Sequence, residues 1–135
     1  DRYDPCGVLI FLRFGKKRCH HGGMMPQCYT IYATHGSGGG RKEGAKAIRL
    51  ADMAAVVDAD IYVHSHTHLP MVMKQSFFRA DSSNCVAKQV QKLFINTGAA
   101  LNYGGYGQAQ EFKPADISTP VIRPEAKQKR RKATM

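Results

Sequence analysis

Asp60-Ile61-Tyr62-Val63-His64-Ser65-His66-Thr67-His68 decides the fold reading, because a short β-branched and aromatic run ends there in a cluster of histidines. Residues 60–64 have the composition of a buried strand, and Ser65 marks its end. Upstream, Leu50, Met53, Ala54 and Val57 recur at i, i+3, i+4 and i+7, so residues 45–57 are expected to form a helix with one apolar face. Arg49 and Asp52 fall off that stripe. Before the helix, Gly36-Ser37-Gly38-Gly39-Gly40-Arg41-Lys42 places four glycines in five positions, a backbone entropy cost that excludes a regular element and makes the segment a loop. Earlier still, residues 27–34 read as a strand with Tyr29, Ile31 and Ala33 on one face, delivering His35 at its carboxyl end. Strand, loop, helix and strand in this order make a βαβ unit and imply a layered α/β fold.

Residues 8–14 read as another buried strand, and with residues 27–34 they suggest a long hairpin around a polar, glycine-bearing stretch. Downstream, residues 71–78 and 92–96 look like strands joined through a polar stretch around residues 81–84. Asn96-Thr97-Gly98 closes the second of these as a turn. Asn102-Tyr103-Gly104-Gly105-Tyr106-Gly107 is a further glycine-rich loop, and residues 120–123 suggest a late strand. No internal repeat is visible.

With 135 residues, 43% of them hydrophobic, the chain suits one domain, 1–135, and is too short for two. Its best apolar run, from Val8 to Leu12, is broken by Arg13 far short of the roughly 20 residues a membrane span needs, so no membrane partner is expected. Asp1-Arg2-Tyr3-Asp4-Pro5 has neither the charged start nor the apolar core of a signal peptide, and the chain reads as a fragment or a processed chain of cytoplasmic location. Four cysteines without a CxxC spacing are expected as free thiols in a reducing compartment. Cys19-His20-His21 and Cys28 offer zinc-type ligands, but their spacing matches no finger pattern.

A formal charge of +10 raises the possibility of a nucleic-acid partner. Its distribution weakens that reading: the segment 123–135 holds six basic residues (Arg123, Lys127, Lys129, Arg130, Arg131, Lys132) against one acid, Glu125. Such a terminal run is read as a solvated tail or edge strand. The alternative is a basic nucleic-acid-binding module without catalysis, using this segment and Lys16-Lys17-Arg18.

Two features end strands and are rich in ligand atoms: His35, running into the glycine loop, and His66-Thr67-His68. In open α/β sheets, sites form outside the carboxyl ends of strands, and neutral imidazole is a common metal ligand. If residues 65–68 are extended, His66 and His68 point the same way and can reach one site. Gly36 would let the backbone approach a phosphate without a Cβ in the way. Each histidine alone is as well explained by surface hydrogen bonding, and His64, inside its strand, reads as packing. Arg41 and Lys42 could contact a substrate phosphate or simply be solvated. The tyrosines at 103 and 106 could border an aromatic leaving group or pack a turn.

Ile31-Tyr32-Ala33-Thr34-His35-Gly36 resembles the segment of calcineurin-like metallophosphoesterases that supplies a late metal-binding histidine. Ser65-His66-Thr67-His68 resembles that family's terminal GHxH motif, with serine in place of its glycine. The resemblance covers nearly the whole chain and includes Asn96-Thr97-Gly98. It implies the carboxyl-terminal half of a layered α/β/β/α sandwich, and a hydrolase acting on a phosphomonoester or phosphodiester, with nucleotide, nucleic acid and protein substrates all open. By the same resemblance His35 and His66 bind one metal of a dinuclear pair and His68 the other, with Gly36 and Arg41 near the substrate. The cofactors implied are two divalent ions, Mn, Zn, Fe or Ni. The family's DxH, GDxxD and GNH[DE] motifs do not occur here, so no catalytic residue is assigned. A complete site holds its cations about 3.5–4 Å apart and needs a bridging carboxylate that histidine cannot replace. The chain alone is therefore expected to bind metal weakly and turn over little, unless a separate amino-terminal half or an oligomer completes it.

Overall fold

The residues at 61–64 are buried on both sides, which suits a strand with neighbours above, below and on each edge. In the computed structural model they form the middle of a mixed five-stranded sheet. The structure describes residues 6–15, 27–37, 42–100, 102, 104–109, 114, 117–125 and 131–134. In chain order its elements are β1 (Val8–Phe14), β2 (Gln27–Thr34), α1 (Glu43–Val56), β3 (Ile61–His64), β4 (Met71–Asp81), β5 (Val86–Asn96), α2 (Tyr106–Ala109), β6 (Val121–Pro124) and β7 (Arg131–Thr134). The main sheet runs β1-β2-β3-β5-β4, and β6 pairs with β7 in a second, two-stranded sheet. β2, β3 and β5 are mutually parallel, while β1 and β4 flank them antiparallel.

Parallel register lines up side chains in rows across the sheet. Tyr32, Tyr62, Phe94 and Met73 are consecutive partners, and this row meets Leu50 and Met53 of α1. Tyr62 and Phe94 stack with centroids 4.6 Å apart and planes 9° from parallel. Each such side chain removed from water contributes about 1.5–3 kcal/mol, which is why the α1 stripe can hold a helix that lacks a side-chain N-cap. The opposite face carries Tyr29, Ile61, Leu93 and Ile95, covered by Ile122 of β6 and Ala133 of β7. The Tyr29 hydroxyl donates to the Glu125 carbonyl at 2.7 Å and ties the second sheet to the first. The described residues thus stack as helix, sheet and sheet. Among them no helix is long and apolar enough to cross a membrane.

Two boundaries differ from the sequence reading for one reason. β4 runs on to Asp81 and β5 starts at Val86, making a long hairpin whose outer half has polar or exposed residues on both faces. Without a buried face there is no period-2 signal to read. Its tip is built as the polar stretch suggested: Asn84 Nδ2 donates to Asp81 Oδ2 at 2.8 Å, Lys88 pairs with Asp81, and Cys85 takes a positive φ of 52°. Part of the basic terminal segment, Arg131–Thr134, is a strand. Residues 16–26, with Lys16-Lys17-Arg18 and Cys19-His20-His21, lie outside the described residues, as do residues 38–41 with Arg41, Tyr103 and residues 126–130. Among the described residues no disulfide forms.

At the amino end of β3 a polar cluster closes the core. The Tyr62 hydroxyl accepts from the Ala59 N–H and donates to the Val57 carbonyl, both at 2.8 Å. Lys92, its side chain 8% exposed, donates to Tyr62 at 2.9 Å and to Asp58 at 2.6 Å, and Arg79 reaches the same carboxylate. The hydrogen bond from Lys92, helped by both cations and opposed by partial desolvation, holds the Asp58 carboxyl below its ordinary 3.8. Burial works against the Lys92 ammonium, but its bonds to Asp58 and Tyr62 prevail and raise it above 10.5. A depressed carboxyl stabilises the fold above its unfolded pKa and ceases to as pH falls through the folded one. A raised amine does the opposite at the alkaline end. Urea midpoints of wild type and Asp58→Asn are therefore expected to differ at neutral pH. That gap should close as pH drops below 3.8, or rises through the elevated Lys92 value.

Candidate metal centre

Two residues beyond the Tyr32, Tyr62, Phe94 row, the same register brings Thr34, His64 and Asn96 side by side at the carboxyl ends of the three parallel strands. The chain leaves β2 at His35 and β3 at Ser65, so two loops rise from adjacent strand tips. His35 Nε2 and His66 Nδ1 meet at 3.2 Å, their rings edge to face with centroids 5.2 Å apart and planes at 80°. Both rings are exposed.

Residues 65–68 are not extended. The Thr67 N–H donates to the Ser65 carbonyl at 2.6 Å around His66, whose φ is +61°, which makes a γ-turn of the rarer, left-handed kind. His68 is left-handed too, at +52°. Non-glycine residues in this region cost roughly 1–2 kcal/mol each and persist only where their surroundings hold them. The period-2 expectation that put His66 and His68 on one side therefore lapses. Among the described residues no three His, Cys, Asp or Glu side chains gather as a metal-holding group. Of the three histidines singled out in the sequence, His35 and His66 are in direct contact, and His68 is exposed two residues further on.

What holds the turn is buried. Asn96, 1% exposed, donates through Nδ2 to Thr67 Oγ1 at 2.8 Å and to the Leu69 carbonyl at 2.5 Å, and Oδ1 meets His64 Nδ1 at 2.8 Å. Because the amide nitrogen is committed to two oxygens, Oδ1 is the acceptor and His64 Nδ1 carries a proton. Thr97 adds a contact from its hydroxyl to Ser65 Oγ at 3.0 Å, and its N–H donates to the His64 carbonyl at 2.9 Å. From the helix side, Lys46 Nζ donates to the Thr67 carbonyl at 2.8 Å and Arg49 Nη1 to the Ser37 carbonyl at 2.6 Å. α1 thus clasps both loops with cations.

Gly36 is required by the packing of the fold itself. A Cβ there would lie 2.0 Å from His64 Nε2, and the residue has a φ of +78°. The close approach is to a buried imidazole, and the Gly36 N–H also donates to Thr34 Oγ1 at 3.1 Å. His64, read as packing, is buried at 5% exposure and is the wall against which the His35 loop is set. In the sequence reading Asn96 ends a strand, starts a turn and belongs to a stretch that shares the family resemblance, with no role of its own. A polar residue at the end of an apolar strand was its one signal. Arg41 lies outside the described residues, and Lys42 is an exposed residue at the α1 N-cap.

The His35–His66 spacing can be tested against what a shared cation requires. Two imidazole nitrogens on one tetrahedral zinc, each at about 2.0–2.1 Å, sit about 3.3–3.4 Å apart. The observed 3.2 Å fits within a small adjustment. No family model, curated protein or solved structure matches the chain.

Gly36→Ala is expected to destabilise by about 2–4 kcal/mol, combining left-handed strain with overpacking against His64. Urea unfolding of Gly36→Ala, His64→Ala and the double variant measures this. The two changes should be strongly non-additive, because removing the ring removes the clash.

Proposed function

We propose that this chain contributes the histidine side of a divalent-metal phosphoesterase site, in a fold of the α/β/β/α sandwich type. One observation carries the reading: His35 Nε2 and His66 Nδ1, from different loops, are held 3.2 Å apart at neighbouring parallel strand tips. Two imidazoles from different loops lie 3.2 Å apart beside a turn that carries a strained residue, a separation that two ligands of one cation would share. The order of motifs in the sequence supports the same reading. His68, exposed two residues on, is the donor that the family resemblance implies for a second cation.

A divalent ion at such a site polarises phosphoryl oxygen and lowers the pKa of water. What the chain itself does is simpler to derive. His35 and His66 present two imidazole nitrogens 3.2 Å apart. Lys46 and Arg49 add positive charge behind the loops, favouring a phosphoester anion over a neutral ester. No described Asp or Glu joins the pair, so the bridging carboxylate the chemistry requires is not among these residues.

Titration of the purified chain with Zn²⁺ or Mn²⁺ tests the reading. One ion is expected to bind weakly, His35→Ala and His66→Ala should each weaken it at least about ten-fold, and His68→Ala should matter less. Hydrolysis of a chromogenic phosphodiester is expected to be slight or absent for this chain alone. Absence of metal binding by the wild type, or full binding by His66→Ala, overturns the proposal.

A further inference from the structure

We propose that Asn96 is the positioning residue of the His35–His66 pair, an inference that rests on reading the pair as cation ligands. Asn96 comes from β5, a strand that carries neither histidine, and its three side-chain hydrogen bonds reach the His64 ring in β3 and two residues of the loop that follows it. Oδ1 takes the His64 Nδ1 proton at 2.8 Å and so fixes the rotation of that ring. The far nitrogen of the ring, Nε2, occupies the space beside Gly36 where a Cβ would fall, 2.0 Å from it. Gly36 follows His35 directly, so the route from Asn96 to His35 is one buried ring and one glycine. On the other side Nδ2 holds Thr67 Oγ1 at 2.8 Å and the Leu69 carbonyl at 2.5 Å, bracketing His68 and gripping the residue that closes the γ-turn at His66.

The two left-handed residues explain why such a grip is needed. His66 at +61° and His68 at +52° would relax to ordinary backbone angles if Thr67 and Leu69 were released. Relaxation of His66 would carry Nδ1 away from His35 Nε2. Thr67 and Asn96 are buried, at 8% and 1% exposure, so water does not compete for these bonds. An amide is suited to the position because it accepts from one side and donates twice on the other. A carboxylate offers no donor for Leu69, and an apolar residue offers neither function.

Two variants test this, Asn96→Ala and the near-isosteric Thr67→Val, which cuts only the link to the His66 turn. Each is read in two ways: Zn²⁺ affinity by chelator competition with the visible spectrum of the Co²⁺ form, and ring ¹⁵N shifts of His35 and His66 without metal. Both variants are expected to weaken Zn²⁺ binding about 10- to 100-fold, as loss of groups that orient ligands does. The Co²⁺ bands should shift and the apo His66 Nδ1 signal should lose its hydrogen-bonded position, while amide shifts of β2, β3 and β5 in Thr67→Val stay close to wild type. Should Asn96→Ala fail to fold, Thr67→Val decides alone. Wild-type Zn²⁺ affinity, Co²⁺ spectrum and ring shifts in Thr67→Val would overturn the proposal. If the wild type itself binds no metal, the cation reading fails, and the apo ring shifts still report whether Asn96 sets the pair.

Discussion

The contact between His64 Nδ1 and Asn96 Oδ1, 2.8 Å across the boundary of β3 and β5, is the constraint on which the carboxyl end of this sheet depends. It is a hydrogen bond between two buried polar side chains, of a kind that costs more to break than it contributes when made, because each partner would be left dry and unsatisfied. Through it the ring of His64 becomes a fixed surface. The His35 loop is moulded on one side of that surface and the Thr67 turn is tied to the amide on the other.

Parallel pairing makes this possible. In the register of β2, β3 and β5, Thr34, His64 and Asn96 fall into one row, and the apolar row two residues earlier anchors it from below. The same alternation that sends Tyr62 and Phe94 into the core under α1 sends His64 and Asn96 to its rim. A polar row at the end of an apolar one is costly unless its members find partners: His64 and Asn96 satisfy each other, and Thr34 bonds the Cys6 carbonyl and the Gly36 N–H. Strain is then concentrated at His66 and His68, just beyond the last strand residue, where ligand-bearing loops commonly hold it.

The two ends of β3 contrast in their electrostatics. At the amino end, Lys92, Asp58 and Arg79 form a charged cluster around the Tyr62 hydroxyl, partly open to water, that closes the core. At the carboxyl end the buried groups are amide, hydroxyl and imidazole, and among the described residues Lys46 and Arg49 of α1 cap backbone carbonyls there. One four-residue strand thus has charged groups at one end and hydrogen-bonding groups paired with one another at the other.

Local pattern alone was sufficient to read β1, β2, β3 and α1 to within about two residues, because apolar runs and the helical period survive in the order of side chains. Even so β1, expected to be buried, leaves Val8, Leu9, Ile10 and Phe11 largely exposed at the sheet edge. Local pattern also singled out His35, His66 and His68 as ligand candidates, and the structure brings the first two within 3.2 Å of each other. Where both faces meet solvent, as in the outer β4–β5 hairpin, the period vanished and the boundary with it. The bend at His66 and His68 could not be read, because a left-handed angle in a non-glycine residue is imposed by distant partners, here Asn96 about thirty residues away. The need for glycine at 36 was visible in composition, but its cause was not: only the packed sheet places an imidazole where its side chain would have been.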